Sequence, residues 1–378
     1  MNEPTANRYT ATAIALHWLL ALLMLGLLAL GFYMHGLRFS PLKLKLFNWH
    51  KWIGVCVFAL AAFRLLWRAS HRAPELPAAM SPPARLAAGA LHLALYALMF
   101  AIPVSGWLMS SAKGFQTVVF GVLPLPNLVG KDEPLGARLL ELHETLNWVL
   151  LALVVAHALA ALKHHFIDRD DVLVRMLPRH GARPGVVRML APAFAVLLAG
   201  GAARPARAVD YTGIDAAASK LEFSYQEMGV SLDGSFARYA AQLGFDPARP
   251  EAAHVVFDVQ LASVDAGAEE ATSEVAGAAW FDTARHPTAH FESTSVKRLP
   301  SGQYELRGNL SIKGRTRAIV VPLDFQAQGP AQGGARALLS GEFTFNRTDF
   351  GVGEGEWADT GTVANPIRVR FRFSLTGK

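Results

Sequence analysis

Two imidazoles stand fourteen residues apart in the stretch "ELHETLNWVLLALVVAHALAAL", residues 141 to 162, at His143 and His157. Fourteen residues are close to four turns of a helix, so both rings leave nearly one face, separated by roughly 21 Å along the axis. The run between them is apolar enough to cross a bilayer. A titratable ring in such a setting is unfavourable and seldom idle. His17 and His50 stand in two further apolar runs. Paired imidazoles facing across a helix bundle leave a slot for a flat macrocycle whose iron is bound axially from both sides. A non-haem metal would need three or four protein ligands, and carboxylates are scarce here.

Depth decides which rings can pair. Four long apolar segments precede residue 170: Ala11–Phe32, His50–Trp67, Leu86–Met109 and Leu139–Leu162. Each is close to the ~20 residues a helix needs to cross hydrocarbon. His157 lies ~8 Å beyond the centre of the fourth run and His17 ~9 Å before the centre of the first. Those two runs point in opposite directions, so the rings share one level. His50 and His143 each precede the centre of their run by about nine residues at 1.5 Å rise each, and those runs are parallel, so they share a second level. Two pairs are expected, His17/His157 and His50/His143. His92, in the third run, falls near the first level as an alternative ligand or a quinone-site residue. His35, His71, His164, His165 and His180 fall beyond the runs and are expected to be solvated. Gly54 and Gly106 are candidate close-approach positions, for a porphyrin or a neighbouring helix.

The composition agrees with a membrane half joined to a soluble half. Of 378 residues, 52% are hydrophobic and 17% charged. The first 208 residues hold 20 Lys and Arg against 9 Asp and Glu, and residues 209–378 hold 16 against 21. Most of the basic excess flanks apolar runs, which argues against nucleic acid as a partner. Cys56 is the single cysteine, which excludes an intramolecular disulfide and a cysteine-based metal site. Arg64, Arg68, Arg72 and Arg85 surround the second connection, and Lys163, Arg169, Arg175, Arg179, Arg183 and Arg188 follow the fourth run. That asymmetry puts both ends of the four-helix unit in the cytoplasm.

A fifth apolar stretch begins at Met189 and runs about 15 residues before Arg204. It is short for a span. It reads as an uncleaved anchor, with an internal signal cut after Ala208 as the alternative. The domains are therefore 1–180, a linker 181–208, and 209–378.

From residue 209 the pattern changes to period two. In "IRVRFRFSLTG", Ile367, Val369, Phe371, Phe373 and Leu375 share one face and Arg368, Arg370 and Arg372 the other. About eight such strands are expected to form a closed antiparallel barrel with no open edge, wide enough inside for one small ligand. The fold class is thus an all-α four-helix transmembrane bundle followed by an all-β barrel.

The segments "IALHWLLALLMLGLLALGFYM", "FNWHKWIGVCVFALAAFRLLWR", "IPVSGWLMS" and "LHETLNWVLLALVVAHALAALKHHFIDRDDVLVRML" resemble the bacterial cytochrome b561 family. The resemblance implies an inner-membrane protein with two haems b, ligated at His17, His50, His143 and His157, exchanging electrons with a quinone and an unidentified donor. In some members superoxide is a partner at the outer face; Lys51, Arg38, Lys43, Lys45 and Lys113 are candidate steering charges. Residues 210–378 resemble the YceI-like family of periplasmic, lipocalin-like barrels, through "SKLEFSYQEMGVSLDGSFARY" and "FNRTDFGVGEGEWADTG" among other segments. That resemblance implies an isoprenoid ligand, ubiquinone or another isoprenoid quinone included. Phe223, Phe257, Trp280, Phe281 and Phe291, with Phe236 and Phe371, are candidate inward positions.

The joint expectation is a di-haem electron carrier with a tethered quinone- or isoprenoid-binding barrel in the periplasm. The alternatives are a superoxide:quinone oxidoreductase and a lipid carrier that uses the cytochrome as an anchor. No motif sets the oligomeric state, and a homodimer is kept as an open arrangement.

Overall fold

A computed structural model describes residues 8–71, 73–77, 80–177, 211–331 and 334–377. The linker 181–208, with its expected anchor or signal, and Arg72, Arg179, Arg183, Arg188 and His180 lie outside the described residues.

Three of the four helices begin where a side chain takes up a free backbone N–H group. α1 spans Ala11–His35, and the hydroxyl of Thr10 accepts from Ala13 N at 3.2 Å. α2 spans Pro41–Ser70; Ser40 Oγ accepts from Lys43 N at 3.2 Å, and Pro41 supplies a helical φ at the first position. α3 spans Pro82–Ala112 with Ser81 as N-cap and Pro103 in its interior. α4 spans Glu133–Phe166; Asp132 caps it by accepting from Leu135 N, and Lys163, His164 and His165 in its last turn complement the helix dipole. All four are long and apolar enough to cross a membrane.

Each helix outruns its apolar run. The difference is largest for α2, which starts nine residues before His50, so "PLKLKLFN" is helical and His50 sits in the third turn. The apolar pattern marks hydrocarbon, whereas Ser40 and Pro41 set where the helix begins.

The helices bury little among themselves. Leu20, Val57, Ala61 and Met99 form one small cluster and Leu28, Leu98 and Leu150 another. Leu22, Leu66, Leu86, Leu93 and Leu159 face outward. In lipid no hydrophobic force drives such residues inward, and close packing and hydrogen bonds hold helices together instead. The α3–α4 connection carries a short antiparallel hairpin, β1 (Val118–Val119) and β2 (Leu123–Pro124). Two indoles hold it to the helices: Trp52 donates to Val118 O at 2.7 Å and Trp107 to Pro126 O at 3.1 Å.

The second unit is an antiparallel sheet of ten strands: β3 (Tyr211–Glu227), β4 (Val230–Phe236), β5 (Tyr239–Gly244), β6 (His254–Gln260), β7 (Val264–Asp265), β8 (Thr288–Arg298), β9 (Tyr304–Ile312), β10 (Arg315–Ala331), β11 (Gly334–Asn346) and β12 (Pro366–Gly377). A short helix, α5 (Glu269–Ala276), lies between β7 and β8. The order is β5-β6-β8-β9-β10-β11-β12-β3-β4-β7, so the last strand pairs with the first and the sheet curls on itself. The expectation of about eight strands with no open edge needs correcting. Among the described residues there are ten, and β3 meets the β5 side through a single bridge, Tyr211 to Phe245. The register of β12 on β3 shifts between Arg372 and Ser374. Such a shift bends a strand and lets β3 serve two stretches of wall.

Strand glycines shape the interior. Gly234 stands opposite Phe223 and Gly341 opposite Phe371, and in each case a Cβ would collide with the facing ring. The phenyl rings therefore lie flat along the wall, where any larger residue would push them into the lumen.

Candidate functional site

The structure brings the four predicted histidines together two by two. His17 on α1 and His157 on α4 have ring centroids 6.2 Å apart. His50 on α2 and His143 on α4 have centroids 6.3 Å apart. The rings in both pairs are steeply inclined, at 69° and 76°. His143 and His157 lie on one unbroken helix, which sets the two levels four turns apart.

The shell around the second pair is the better defined. His143 Nδ1 lies 3.1 Å from Ile102 O and 3.0 Å from Ser105 Oγ, and that hydroxyl itself donates to Ile102 O at 2.8 Å. A donor role for Nδ1 satisfies this set, which leaves Nε2 unprotonated and free to bind a metal. A Cβ at Gly106 would sit 3.1 Å from His143, and one at Gly31 would sit 3.6 Å from His50. His50 Nδ1 is buried with no hydrogen-bond partner among the described residues.

Glycine and histidine share a spacing that the histidines alone do not reveal. Gly31 follows His17 by fourteen residues and Gly106 follows His92 by fourteen. α1 and α3 thus each present a histidine at one level and a bare backbone at the other. Gly31 was not singled out from sequence, although the four-turn offset from His17 was there to be read. Gly54, expected as a close-approach point, has nothing within 4 Å of a built Cβ. His92 faces His157 at 5.3 Å, which is closer than His17 does.

Among the other histidines, His35 is exposed and pairs with Glu144 at 3.4 Å, and His71 stacks on Trp67. His164 departs from the expectation of a solvated ring. It is half-buried, 2.6 Å from Asp170 and 3.2 Å from Asp168, because the chain turns back after α4. Lys51, beside His50, donates to Ser110 Oγ at 3.5 Å.

The sheet encloses a cavity of about 230 Å³. Phe223, Phe236, Phe257, Trp280, Phe281, Phe291 and Phe371 all line it. The lining continues through Leu221, Leu243, Leu339, Phe343, Phe345 and Phe373, positions that alternate inward on their strands but look like ordinary core in sequence. Tyr225 lines it too, and burial pushes its phenol well above the usual tyrosine range.

Beneath the wall lies Arg347, wholly buried and without a carboxylate partner within 4 Å among the described residues. Its Nη1 donates to Val352 O and Gly353 O, its Nη2 to Trp357 O and Val363 O, and its Nε to Ala364 O. Sequence reasoning missed it, since an arginine in "FNRTDFG" looks like surface charge. Its partners are backbone carbonyls, which no residue type announces.

Residues 8–179 match the family described as prokaryotic cytochrome b561, and residues 213–375 match the YceI-like domain. Cytochrome b561 homolog 2 of Escherichia coli (strain K12) is 40% identical over 183 residues, which are 48% of this chain and 97% of that protein. The chain belongs to the cytochrome b561 family and carries a YceI-like domain. A UPF0312 protein of Azotobacter vinelandii is 35% identical to the second part over 134 residues, covering 35% of this chain and 70% of that one. A crystal structure of BcnA from Burkholderia cenocepacia aligns with 33% identity over 43% of this chain and 100% of that one, at a TM-score of 0.40.

The cytochrome b561 family implies haem b, and the residues present suit that group. Two imidazoles each held about 2 Å from one central ion keep their ring centres about 6 Å apart, the separation seen in both pairs. The orphaned nitrogen of His50 and the missing Cβ atoms at Gly31 and Gly106 point the same way.

Proposed function

We propose that this cytochrome b561-family protein is an inner-membrane electron carrier holding two haems b. His17 and His157 would ligate one, toward the cytoplasm, and His50 and His143 the other, toward the periplasm. The observation that carries the reading is the pair of imidazole couples, at 6.2 and 6.3 Å, joined by one helix. Haem iron held by these imidazoles would supply one-electron transfer.

The chain's own residues prepare these places. Ile102 O and Ser105 fix the His143 ring and its tautomer. Gly31 and Gly106 hold the backbones of α1 and α3 close to the facing rings. The outward leucines keep the pairs in a low-dielectric layer away from water. Electrons would exchange with the quinone pool. The barrel, placed in the periplasm, would hold an isoprenoid such as a quinone in its apolar cavity. Covalent attachment keeps that carrier at an effective concentration of order millimolar near the membrane.

The test is a reduced-minus-oxidised spectrum with haem quantified per purified chain. Two low-spin b-type centres are expected. Changing His17 or His157 to Ala should remove one, and changing His50 or His143 should remove the other. A single centre, or loss of the same centre from both pairs, would overturn the assignment.

A further inference from the structure

We propose that Arg64, backed by Arg68, binds the propionate carboxylates of the haem at the His17/His157 level and holds that centre's reduction potential up. The inference rests on the haem reading above and deepens it, by naming residues that position the group without ligating its iron.

Arg64 follows His50 by fourteen residues on the unbroken helix α2. It therefore leaves the face that carries His50, four turns further along and so at the other level. Its charge is near enough to act on the rings of His17, His92 and His157, whereas that of Arg68, one turn on, reaches His92 alone. Both guanidiniums lie 5.7 Å from the centre of the Tyr96 ring on α3, and Arg64 Nε donates to the Tyr96 hydroxyl at 3.1 Å. Arginines that only mark topology would extend to the lipid head groups. These two fold onto Tyr96 instead.

A half-buried cation in an apolar span is unfavourable unless an anion meets it, and the chain offers none. α1, α2 and α3 contain no Asp or Glu, and on α4 none follows Glu144. Beyond α4, Asp168, Asp170 and Asp171 are taken by Lys163, His164 and Arg175. Among the described residues neither Arg64 nor Arg68 has a carboxylate within 4 Å. Tyr96 takes one of the five donors of Arg64. The terminal nitrogens that remain form the fork that grips a carboxylate with two parallel hydrogen bonds. Haem b carries its own pair of carboxylates, the propionates, and at this level they supply the counter-charge that the helices withhold. A cation beside a haem also favours the reduced iron, which carries one positive charge fewer, and does so more strongly in a low-dielectric layer than in water.

The experiment uses the full chain in phosphatidylcholine nanodiscs, as wild type, Arg64→Gln, Arg64→Lys and Arg68→Gln, with carbon-13 at the haem propionate carboxyls. Redox titrations and reduced-minus-oxidised infrared spectra are recorded with haem counted per chain, and the inner centre is the one lost in His17→Ala. Arg64→Gln should shift the oxidised-to-reduced ratio of that centre tenfold at fixed poise, a midpoint lower by about 59 mV for one electron. It should also move the labelled carboxylate band and leave the His50/His143 centre unchanged. Arg64→Lys should recover most of the potential but not the band, because an ammonium keeps the charge and lacks the fork; Arg68→Gln should give a smaller change of the same sign. If Arg64→Gln retains no haem, the other two variants carry the same readouts. An unmoved midpoint and band overturn the inference, as do equal shifts of both centres. So does a wild-type midpoint that moves when phosphatidylglycerol is added while that of Arg64→Gln does not, which assigns the arginines to a lipid phosphate. Wild type without any haem at the His17/His157 level would sink the haem reading itself.

Discussion

The two halves of the chain place polar groups inside apolar surroundings in opposite ways. In the helical half, half-buried imidazoles stand in pairs at fixed depths, and one nitrogen of His50 is left without a partner. In the barrel the fully buried cation, Arg347, is satisfied by five carbonyls. The first arrangement is poised to take something in, and the second is closed and serves the fold. A polar side chain in an apolar place therefore indicates a ligand only after its hydrogen bonds have been counted.

Removing the satisfied group should do the most damage to folding. Arg347→Met leaves five carbonyls of residues 352–364 without their donor and should destabilise the barrel by about 3 kcal/mol or more. Thermal unfolding followed by barrel tryptophan fluorescence would show it, while haem content stays at the wild-type level. Loss of haem together with the barrel would erase the distinction between the halves.

Filling a wall glycine comes next. Gly234→Val drives a branched side chain into the Phe223 ring and should lower stability by about 1–3 kcal/mol through overpacking. Ligand retention should fall with it, because the displaced ring enters the cavity. In the helical half the equivalent intrusion is graded. Gly106→Ala, whose Cβ meets His143 at 3.1 Å, should perturb the spectrum of the haem proposed at the His50/His143 pair; Gly31→Ala, at 3.6 Å, should be tolerated.

Ser105→Ala removes one hydroxyl from the His143 shell and should be worth about 1 kcal/mol. On the proposed two-haem reading, its signature is a shifted midpoint potential of the centre at His143 with the one at His157 unmoved. A shift of both would mean that the levels are not separately tuned.

The smallest effect is electrostatic. Hydrogen bonds from Lys313 at 3.2 Å and Arg315 at 2.7 Å hold the Glu354 carboxyl below the usual range. Its contribution is present above the unfolded carboxylate value near ~4.3 and is lost as pH falls through the lower folded one. The group is about half exposed, so screening limits it to about 0.5 kcal/mol. The melting temperature of wild type should fall more steeply in acid than that of Glu354→Gln.

The helical region was readable from sequence because a histidine contrasts with the leucines around it, and its depth follows from counting. What escaped was the start of α2, which Ser40 and Pro41 govern, and the role of Gly31, whose contribution is a missing atom. The barrel gave its strand periodicity and its aromatic lining, Phe223 to Phe371. It withheld its strand number, since β7 is two residues long, and it withheld the partial closure at Tyr211. It also withheld Arg347, whose meaning depends on carbonyls brought in by the loop after β11.

α4 is a single rod of 34 residues that supplies one ring to each couple. A slide or tilt of that rod displaces His143 and His157 in concert, so strain introduced at one imidazole level is delivered mechanically to the other, about 21 Å away. Partner rings on α1 and α2 ride on separate struts and have no such obligation. Any device that grips α4 therefore acts on both levels at once, and one that grips α1 or α2 acts on a single level.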